Sequence, residues 1–359
     1  MKNRASCLYC ALIPIIFFVG LIVPAVSDES PKASFRQAIT AVAFDPQNGQ
    51  FTNISAEEIR VSGFSATAVR CERLSGPRRM LLLVDLGPNS WINQVRRQNL
   101  SEAVREFVAQ CEPADSLALH VFGKIHQVLV PFCRDPSRIL NEFRSASAKK
   151  DMELLREYGR FSDVIKGLRA SLVESRADLR FGDAIVLISP GAFVEPNGRE
   201  LQKIQAELIG LGVRLYLFRT VELVEPRMVF DQLPANSVPN QIATDPSLDR
   251  IRQVVETQEK LIFPVGGAIV VPRAGSRAVV GTQKIPLGAV AELFQPEWIS
   301  GAAGSILAMI RNAFRIELEI REPVSKPRKI VLKTGDPKGT GNQKIQIQHA
   351  QWILPTNTP

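Results

Sequence analysis

The chain has 359 residues, 45% of them hydrophobic and 22% charged, so it is long enough and apolar enough to bury a full core. Its 23 glycines and 24 prolines are ordinary numbers for this length, and with this hydrophobic content they exclude a wholly disordered chain. The formal net charge is +8, but basic and acidic residues are interspersed and the basic clusters lack interleaved aromatics, which excludes a typical nucleic-acid binder.

Residues 1–27 are predicted to be an export signal. Lys2 and Arg4 precede an apolar run from Ala11 to Val23, and the small residues Ala25 to Ser27 follow it. The run is shorter than the ~20 residues that a membrane-spanning helix needs. We therefore expect a periplasmic or secreted protein, with an uncleaved signal as the only route to membrane attachment.

Residues 28–77 are predicted to be a β-rich lead-in. Ile39–Phe44 has the composition of a strand and runs into a turn at residues 45–49. Residues 54–61 and 68–74 supply two further candidate strands.

The pattern changes at Met80 to an alternation of strands and helices. Apolar strands are predicted at 80–85, 183–189 and 213–218, and amphipathic helices at 93–111, 136–157, 162–176 and 200–211. Residues 116–122 and 125–132 flank Gly123-Lys124 and are predicted to form a β-hairpin. Residues 78–300 are thus expected to form an α/β domain with a doubly wound, mostly parallel sheet and one antiparallel edge.

The remaining segments lead to a second β-rich region. Residues 221–247 are predicted to be a long loop, followed by a helix at 247–261. Residues 301–359 are expected to hold a helix at 302–313 and alternating strands at 314–320, 328–333 and 344–349. These strands are expected to pair with those of the lead-in.

Several of these stretches resemble a known family. Residues 51–61, residues 74–80, the strand that ends at Asp85, and the tail at 311–320 and 327–333 are similar to exported VWFA-related proteins of acidobacterial type. The resemblance implies a von Willebrand factor A (vWA)-like domain between β-rich segments. It also implies a place for a metal-ion-dependent adhesion site at the carboxyl ends of the strands.

The residues at that place depart from the family pattern. In the first loop Asp85 matches the metal-binding carboxylate, but Gly87 and Asn89 stand where the family has serines. In the other two loops Gly159 stands for a threonine and Pro190 for an aspartate. Because Mg²⁺ and Ca²⁺ need several oxygen donors, we predict a degenerate site with no bound metal and no cofactor.

Two interpretations of Asp85 remain at this point. Its carboxylate is expected to accept backbone N–H groups of the following turn, as Asx-turns do. The alternative is a residual Mg²⁺ or Ca²⁺ site made by Asp85, Asn89, Ser90 and Ser189.

No catalytic constellation is apparent, so an enzyme is not expected. The chain has three histidines and no Gly-x-Ser-x-Gly motif. A two-residue turn at Gly123-Lys124 places His120 and His126 on opposite faces of the hairpin, which argues against a zinc site.

Three cysteines remain after the signal: Cys71, Cys111 and Cys133. Cys111 ends the first helix of the α/β domain and Cys133 ends the hairpin, at the same end of the sheet. They are the candidate pair for a disulfide, and two buried thiols are the alternative.

The sequence therefore predicts an exported, non-catalytic protein that binds a protein partner in the cell envelope or outside the cell. The expected binding residues are Trp91, Asn89 and Glu195, which lie on or beside the loops at the carboxyl ends of the strands. A metal-dependent adhesion protein and an envelope enzyme are the alternative functions.

Overall fold

The computed structural model describes residues 34–46, 49–87, 94–123, 125–153, 163–191, 197–220, 222–223, 246–272, 289–290, 294–335 and 345–355. The predicted signal at 1–27 and most of the predicted loop at 221–247 lie outside these described residues. So do five of the residues singled out from the sequence: Asn89, Ser90, Trp91, Gly159 and Glu195.

The centre of the molecule is a six-stranded sheet with the strand order β10-β8-β7-β4-β5-β6. Its strands are β4 (Arg79–Asp85), β5 (Ser116–Phe122), β6 (His126–Cys133), β7 (Ala184–Ser189), β8 (Arg214–Arg219) and β10 (Ile269–Val270). All neighbours are parallel except β5 and β6, which form the antiparallel edge. Every residue of β7 and β8 is buried, as the continuous apolar runs in the sequence predict for strands covered on both faces.

The described helices form two groups around this sheet. They are α1 (Gln94–Ala109), α2 (Pro136–Glu153), α3 (Val164–Ser175), α4 (Gly198–Leu211), α5 (Pro246–Ile262) and α6 (Pro296–Arg311). Helix α1 packs on α2 and α6, whereas α4 packs on α3 and bonds to α5 through Gln205. The predicted doubly wound architecture of a vWA-like domain is therefore confirmed. None of these helices combines the length and hydropathy that a bilayer-spanning segment needs.

A second sheet joins the two ends of the described chain. Its order is β15-β1-β12-β3, with β1 (Phe35–Phe44), β3 (Ala66–Arg73), β12 (Ala313–Ile320) and β15 (Gln346–His349). Phe35 to Val42 pair antiparallel with Ile320 to Ala313. The expected pairing between the lead-in and the tail is therefore confirmed.

Short two-stranded ladders complete the described structure. They pair β2 (Ile59–Ser62) with β14 (Val331–Thr334), β13 (Arg328–Lys329) with β16 (Trp352–Ile353), and β9 (Glu222–Leu223) with β11 (Ala289–Val290). A 3₁₀ turn at Ala56–Glu58 takes up part of the strand predicted at 54–61.

The helix before β12 begins earlier than predicted. Helix α6 begins at Pro296 rather than at residue 302, because a proline suits the first turn of a helix and Gly301 and Gly304 are tolerated inside it. The expected segment boundary between residues 300 and 301 therefore falls inside this helix. Gln110 at the end of α1 donates to the carbonyl of Ser300, which ties α6 to the parallel sheet's own layer of helices.

The candidate disulfide is not formed, and the cysteines are free thiols. Cys111 Sγ lies 3.2 Å from the carbonyl oxygen of Phe107, and Cys133 Sγ lies 3.8 Å from that of Asp135. Each thiol is thus directed to its own local backbone. Burial raises the pKa of Cys111 to about 12, so this thiol is unreactive at neutral pH.

Candidate functional site

The carboxyl ends of three adjacent parallel strands bring three polar side chains to one level. Val84 pairs with Ile188, so the next residues, Asp85 and Ser189, are neighbours, and Ser189 pairs with Arg219 on β8. We call Asp85, Ser189 and Arg219 the crest. All three are fully buried, although each is polar or charged.

Hydrogen bonds within the protein use both carboxylate oxygens of Asp85. The backbone N–H of Gly87 donates to Oδ1 at 2.8 Å, and the hydroxyl of Ser189 donates to Oδ2 at 2.8 Å. The first contact is the turn-capping role predicted for Asp85, which is confirmed. The second links the first and third loops of the family's metal-site place by protein atoms alone.

The hydrogen bonds continue from Ser189 to Arg219. Gly191 N–H donates to Ser189 Oγ at 3.0 Å, and the Gly191 carbonyl accepts from Gln258 Nε2 at 2.6 Å. Gln258 Oε1 in turn accepts from Arg219 Nη1 at 3.4 Å. Gly191 has a φ of +83°, and a Cβ there would overlap Gln258, so this close approach requires glycine.

The crest does not fit a divalent cation. Gly87 and Pro190 have no side-chain oxygen, and the oxygens of Asp85 and Ser189 are already engaged. Arg219 adds a buried positive charge at the same level, which a second cation would repel. Within the described residues, no group of three His, Cys, Asp or Glu side chains is placed to hold a metal ion.

A second polar group lies at the antiparallel edge, where the structure corrects the sequence prediction. The β5–β6 loop has three residues, Gly123 to Ile125, so Phe122 pairs with His126. Residues two apart in a strand share a face, so His120 and His126 lie on the same face, not on opposite ones. The prediction that they diverge was wrong because it assumed a two-residue turn.

Helix α3 packs on this face through small residues spaced four apart. Gly167 lies against the ring of Phe122, where a Cβ would lie 2.7 Å from Cγ. Ser171 Oγ lies 2.9 Å from His126 Nε2, and Ser175 Oγ lies 3.4 Å from His120 Nε2. Residues i and i+4 share one side of a helix, which explains the regular contacts.

The two imidazoles also contact each other. His126 Nε2 lies 3.3 Å from His120 Nδ1, and the ring centroids are 5.2 Å apart with planes inclined by 69°. We call His120, His126, Ser171 and Ser175 the hairpin cluster. Burial, and then the neighbouring His126, lower the pKa of His120 to about 4, so His120 is neutral at physiological pH.

The surface around the hairpin cluster is apolar. Ile125 is 63% exposed, Val128 42% and Val173 69%, and they flank His126 from the loop, from β6 and from α3. We call these three side chains the hairpin edge. The sequence signal that marks them is an isolated branched apolar residue in a loop or on the polar side of a helix, and our sequence prediction missed it.

A cavity of about 160 Å³ lies elsewhere, between α4 and the C-terminal β16. It is lined by Gln202, Gln205, Ala206, Ile209, Pro327, Trp352 and Leu354. None of these lining residues is titratable, so the cavity offers no acid, base or charged nucleophile for catalysis.

The comparisons with known proteins give distant matches only. No protein-family model matches the chain, and no curated protein does. Similar solved structures include a von Willebrand factor type A protein from Catenulispora acidiphila, with 9% identity over 86% of this chain and 76% of that chain and a TM-score of 0.39. An aerotolerance-related membrane protein from Bacteroides fragilis matches at 12% identity over 65% and 98% of the two chains, with a TM-score of 0.35. The ArnB paralog VWA2 from Sulfolobus acidocaldarius matches at 9% identity over 89% and 75%, also with a TM-score of 0.35. The fold assignment rests on the observed strand order rather than on these values.

Proposed function

We propose that the protein is an exported, non-catalytic binding protein that holds a protein partner through metal-independent contacts at the hairpin edge. The observation that carries the proposal is the exposure of Ile125, Val128 and Val173 beside an edge strand. Edge strands are normally protected by charge, proline or cover, because their free backbone groups and apolar side chains invite association.

The geometry of β6 suits a partner that adds a strand. Strand β6 ends the six-stranded sheet, and one of its sides has no neighbouring strand within the described residues. A partner segment in extended conformation would gain backbone hydrogen bonds from β6 and apolar contact with Val128. Ile125 and Val173 would extend that apolar contact around the hairpin.

The closed crest supports metal independence. The family's usual mode requires a metal with an open position, whereas Asp85 and Ser189 bond to each other. The loop candidates Asn89, Trp91 and Glu195 remain part of the proposed partner surface. Export is supported by the charge, apolar run and small residues of residues 1–27. Mass measurement of the mature amino terminus tests it.

The experiment is an envelope pull-down with surface variants. We expect the tagged protein to retain a specific partner, and the double variant Ile125→Asp/Val173→Asp to lose at least about 90% of it, because charges there would be buried on binding. The matched control is Val69→Asp, since Val69 is 39% exposed and lies on β3 of the other sheet. A partner lost equally from both variants, or from neither, would contradict the hairpin edge as the binding surface.

A metal-dependent adhesion protein is the second candidate, favoured by the 2.8 Å contact between Asp85 and Ser189, two of its four proposed ligands. Titration calorimetry with Mg²⁺, Ca²⁺ and Mn²⁺ distinguishes the two functions. We expect no binding heat, and partner capture that survives a chelator. Heat that disappears in Asp85→Asn would establish the metal-dependent function instead.

A further inference from the structure

The two imidazoles of the hairpin cluster are bent toward a common point. A tetrahedral Zn²⁺ with Zn–N distances of about 2.0–2.1 Å holds two ligand nitrogens about 3.3–3.4 Å apart and their ring centroids roughly 5.2 Å apart. The observed separations are 3.3 Å between His120 Nδ1 and His126 Nε2 and 5.2 Å between the centroids. A straight N–H···N hydrogen bond with the same nitrogen separation would place the centroids about 5.6 Å apart.

The neighbouring hydroxyls suit a zinc site as well. Ser171 Oγ lies 2.9 Å from His126 Nε2, on the nitrogen that faces His120. Ser175 Oγ lies 3.4 Å from His120 Nε2, the nitrogen on the far side of that ring. A partner on the far nitrogen fixes the orientation and tautomer of a ligating imidazole and leaves Nδ1 for the metal.

We propose that His120 Nδ1 and His126 Nε2 bind one Zn²⁺ ion, with Ser171 Oγ as a third donor and water in the fourth position. His120 is buried, whereas His126 is half-buried at the hairpin surface, so the ion enters from the side of His126. The site is separate from the crest and does not depend on the proposed partner binding.

The protonation states favour metal binding over proton binding. Only a neutral imidazole binds a metal ion, and burial lowers the pKa of both His120 and His126. Glu174, an exposed residue on α3, acts in the opposite direction on the pKa of His126. Its carboxylate therefore lies near enough to offset part of the charge of a dication.

The ligand set also sets the strength of the site. Two imidazoles and a hydroxyl are fewer and weaker donors than the four ligands of a structural zinc site. We therefore expect micromolar rather than nanomolar affinity. The ion would fasten the β5–β6 hairpin to α3 and so raise the thermal stability of the protein.

The test uses the full chain after chelator treatment, titrated with Zn²⁺ in a calorimeter and with Co²⁺ in an absorption spectrometer. We expect one ion per chain, the visible bands of tetrahedral Co²⁺, and a rise in melting temperature with Zn²⁺. His126→Gln should weaken Zn²⁺ binding at least about tenfold. Asp85→Asn should leave Zn²⁺ binding unchanged, because Asp85 belongs to the crest.

Three results would overturn the proposal: no saturable Zn²⁺ binding by the wild-type protein at 100-fold molar excess, equal affinity of wild type and His126→Gln, or loss of binding in Asp85→Asn alone. Proton NMR of the histidine rings in the wild-type protein decides the case if His126→Gln fails to fold. Zn²⁺ should then shift the ring signals of His120 and His126 and leave His349 unmoved. Partner capture plays no part in these readouts, so they fail or succeed independently of the proposed function.

Discussion

The crest and the hairpin cluster are both polar groups packed against the same parallel sheet, but they use their donors and acceptors differently. At the crest each oxygen of Asp85 accepts a hydrogen bond from the protein, and Gln258 links Arg219 back to Gly191. In the hairpin cluster the nitrogens of His120 and His126 meet each other at 3.3 Å beside the surface. The family's usual ligand position is therefore closed, while a position outside it keeps convergent donors.

This difference shows that ligand capacity follows the use of donor atoms rather than their place in a fold. The crest spends its polar atoms on holding three strand ends and α5 together. The hairpin cluster joins β5, β6 and α3 through contacts that an ion or a proton can replace. The first group should therefore respond to mutation mainly in stability, and the second should respond to solution conditions.

The largest expected effect is at Asp85. Asp85→Ala removes two hydrogen bonds to a buried carboxylate and should lower the free energy of unfolding by about 3–4 kcal/mol. The matched control is Asp135→Ala, because Asp135 is exposed and accepts two backbone N–H groups at the start of α2. That change should cost about 1 kcal/mol. Urea unfolding measures both, and equal losses would show that the crest is not a structural network.

The next effect is at Gly191, which joins the crest to α5. Gly191→Ala should lower the free energy of unfolding by about 2–3 kcal/mol, because φ is positive there and a Cβ would overlap Gln258. Gly198→Ala is the control, since Gly198 begins α4 and has open space around it. The control should be neutral or slightly stabilising in the same thermal or urea melt. A tolerated Gly191→Ala would mean that Gln258 does not lie against Gly191.

The third prediction concerns pH and the hairpin cluster. The pKa of His120 falls from 6.5 to about 4 in the folded protein, first through burial and then through His126. Its contribution to stability is thus fully present above pH 6.5 and is lost as pH falls from 6.5 to 4, because the unfolded chain binds the proton first. The loss should amount to about 2 kcal/mol.

The difference between wild type and His120→Gln isolates this contribution. Burial raises the pKa of Asp183 to about 6, and this acts in the opposite sense but equally in both proteins. Urea unfolding at several pH values should show a flatter profile for His120→Gln between pH 6.5 and 4. Parallel profiles would show that His120 is not buried as a neutral imidazole.

The smallest expected effect is at the hairpin edge. Ile125→Asp and Val173→Asp should each change the free energy of unfolding by less than about 0.5 kcal/mol, because both side chains are mostly exposed. Their effect on partner capture should nonetheless be large. A stability loss comparable to that of Asp85→Ala would indicate that these residues pack within the fold rather than on a binding surface.

Much of the parallel sheet was predictable because its signals are local. The apolar runs at 80–85, 183–189 and 213–218 correspond to β4, β7 and β8, since strands buried on both faces need continuous apolar sequence. The loss of metal donors at Gly87 and Pro190 also followed from residue type, because neither side chain carries an oxygen.

Other features depended on contacts that the sequence pattern does not encode. One additional loop residue at Ile125 placed His126 on the same face as His120, since side chains alternate in a strand and a one-residue slip reverses the face. The closure of the crest depended on Gln258, which is 39 residues from Arg219 in the chain.

The sequence by itself determined the order of strands and helices, the strand that carries Asp85 and the loss of the family's metal donors. These follow from periodicity and side-chain chemistry, which act over a few neighbouring residues. Only the tertiary structure decided that the crest is closed by Ser189, Gln258 and Arg219 and that the two histidines converge. Those outcomes depend on strand register and helix packing, in which residues far apart in the chain meet at distances of about 3 Å.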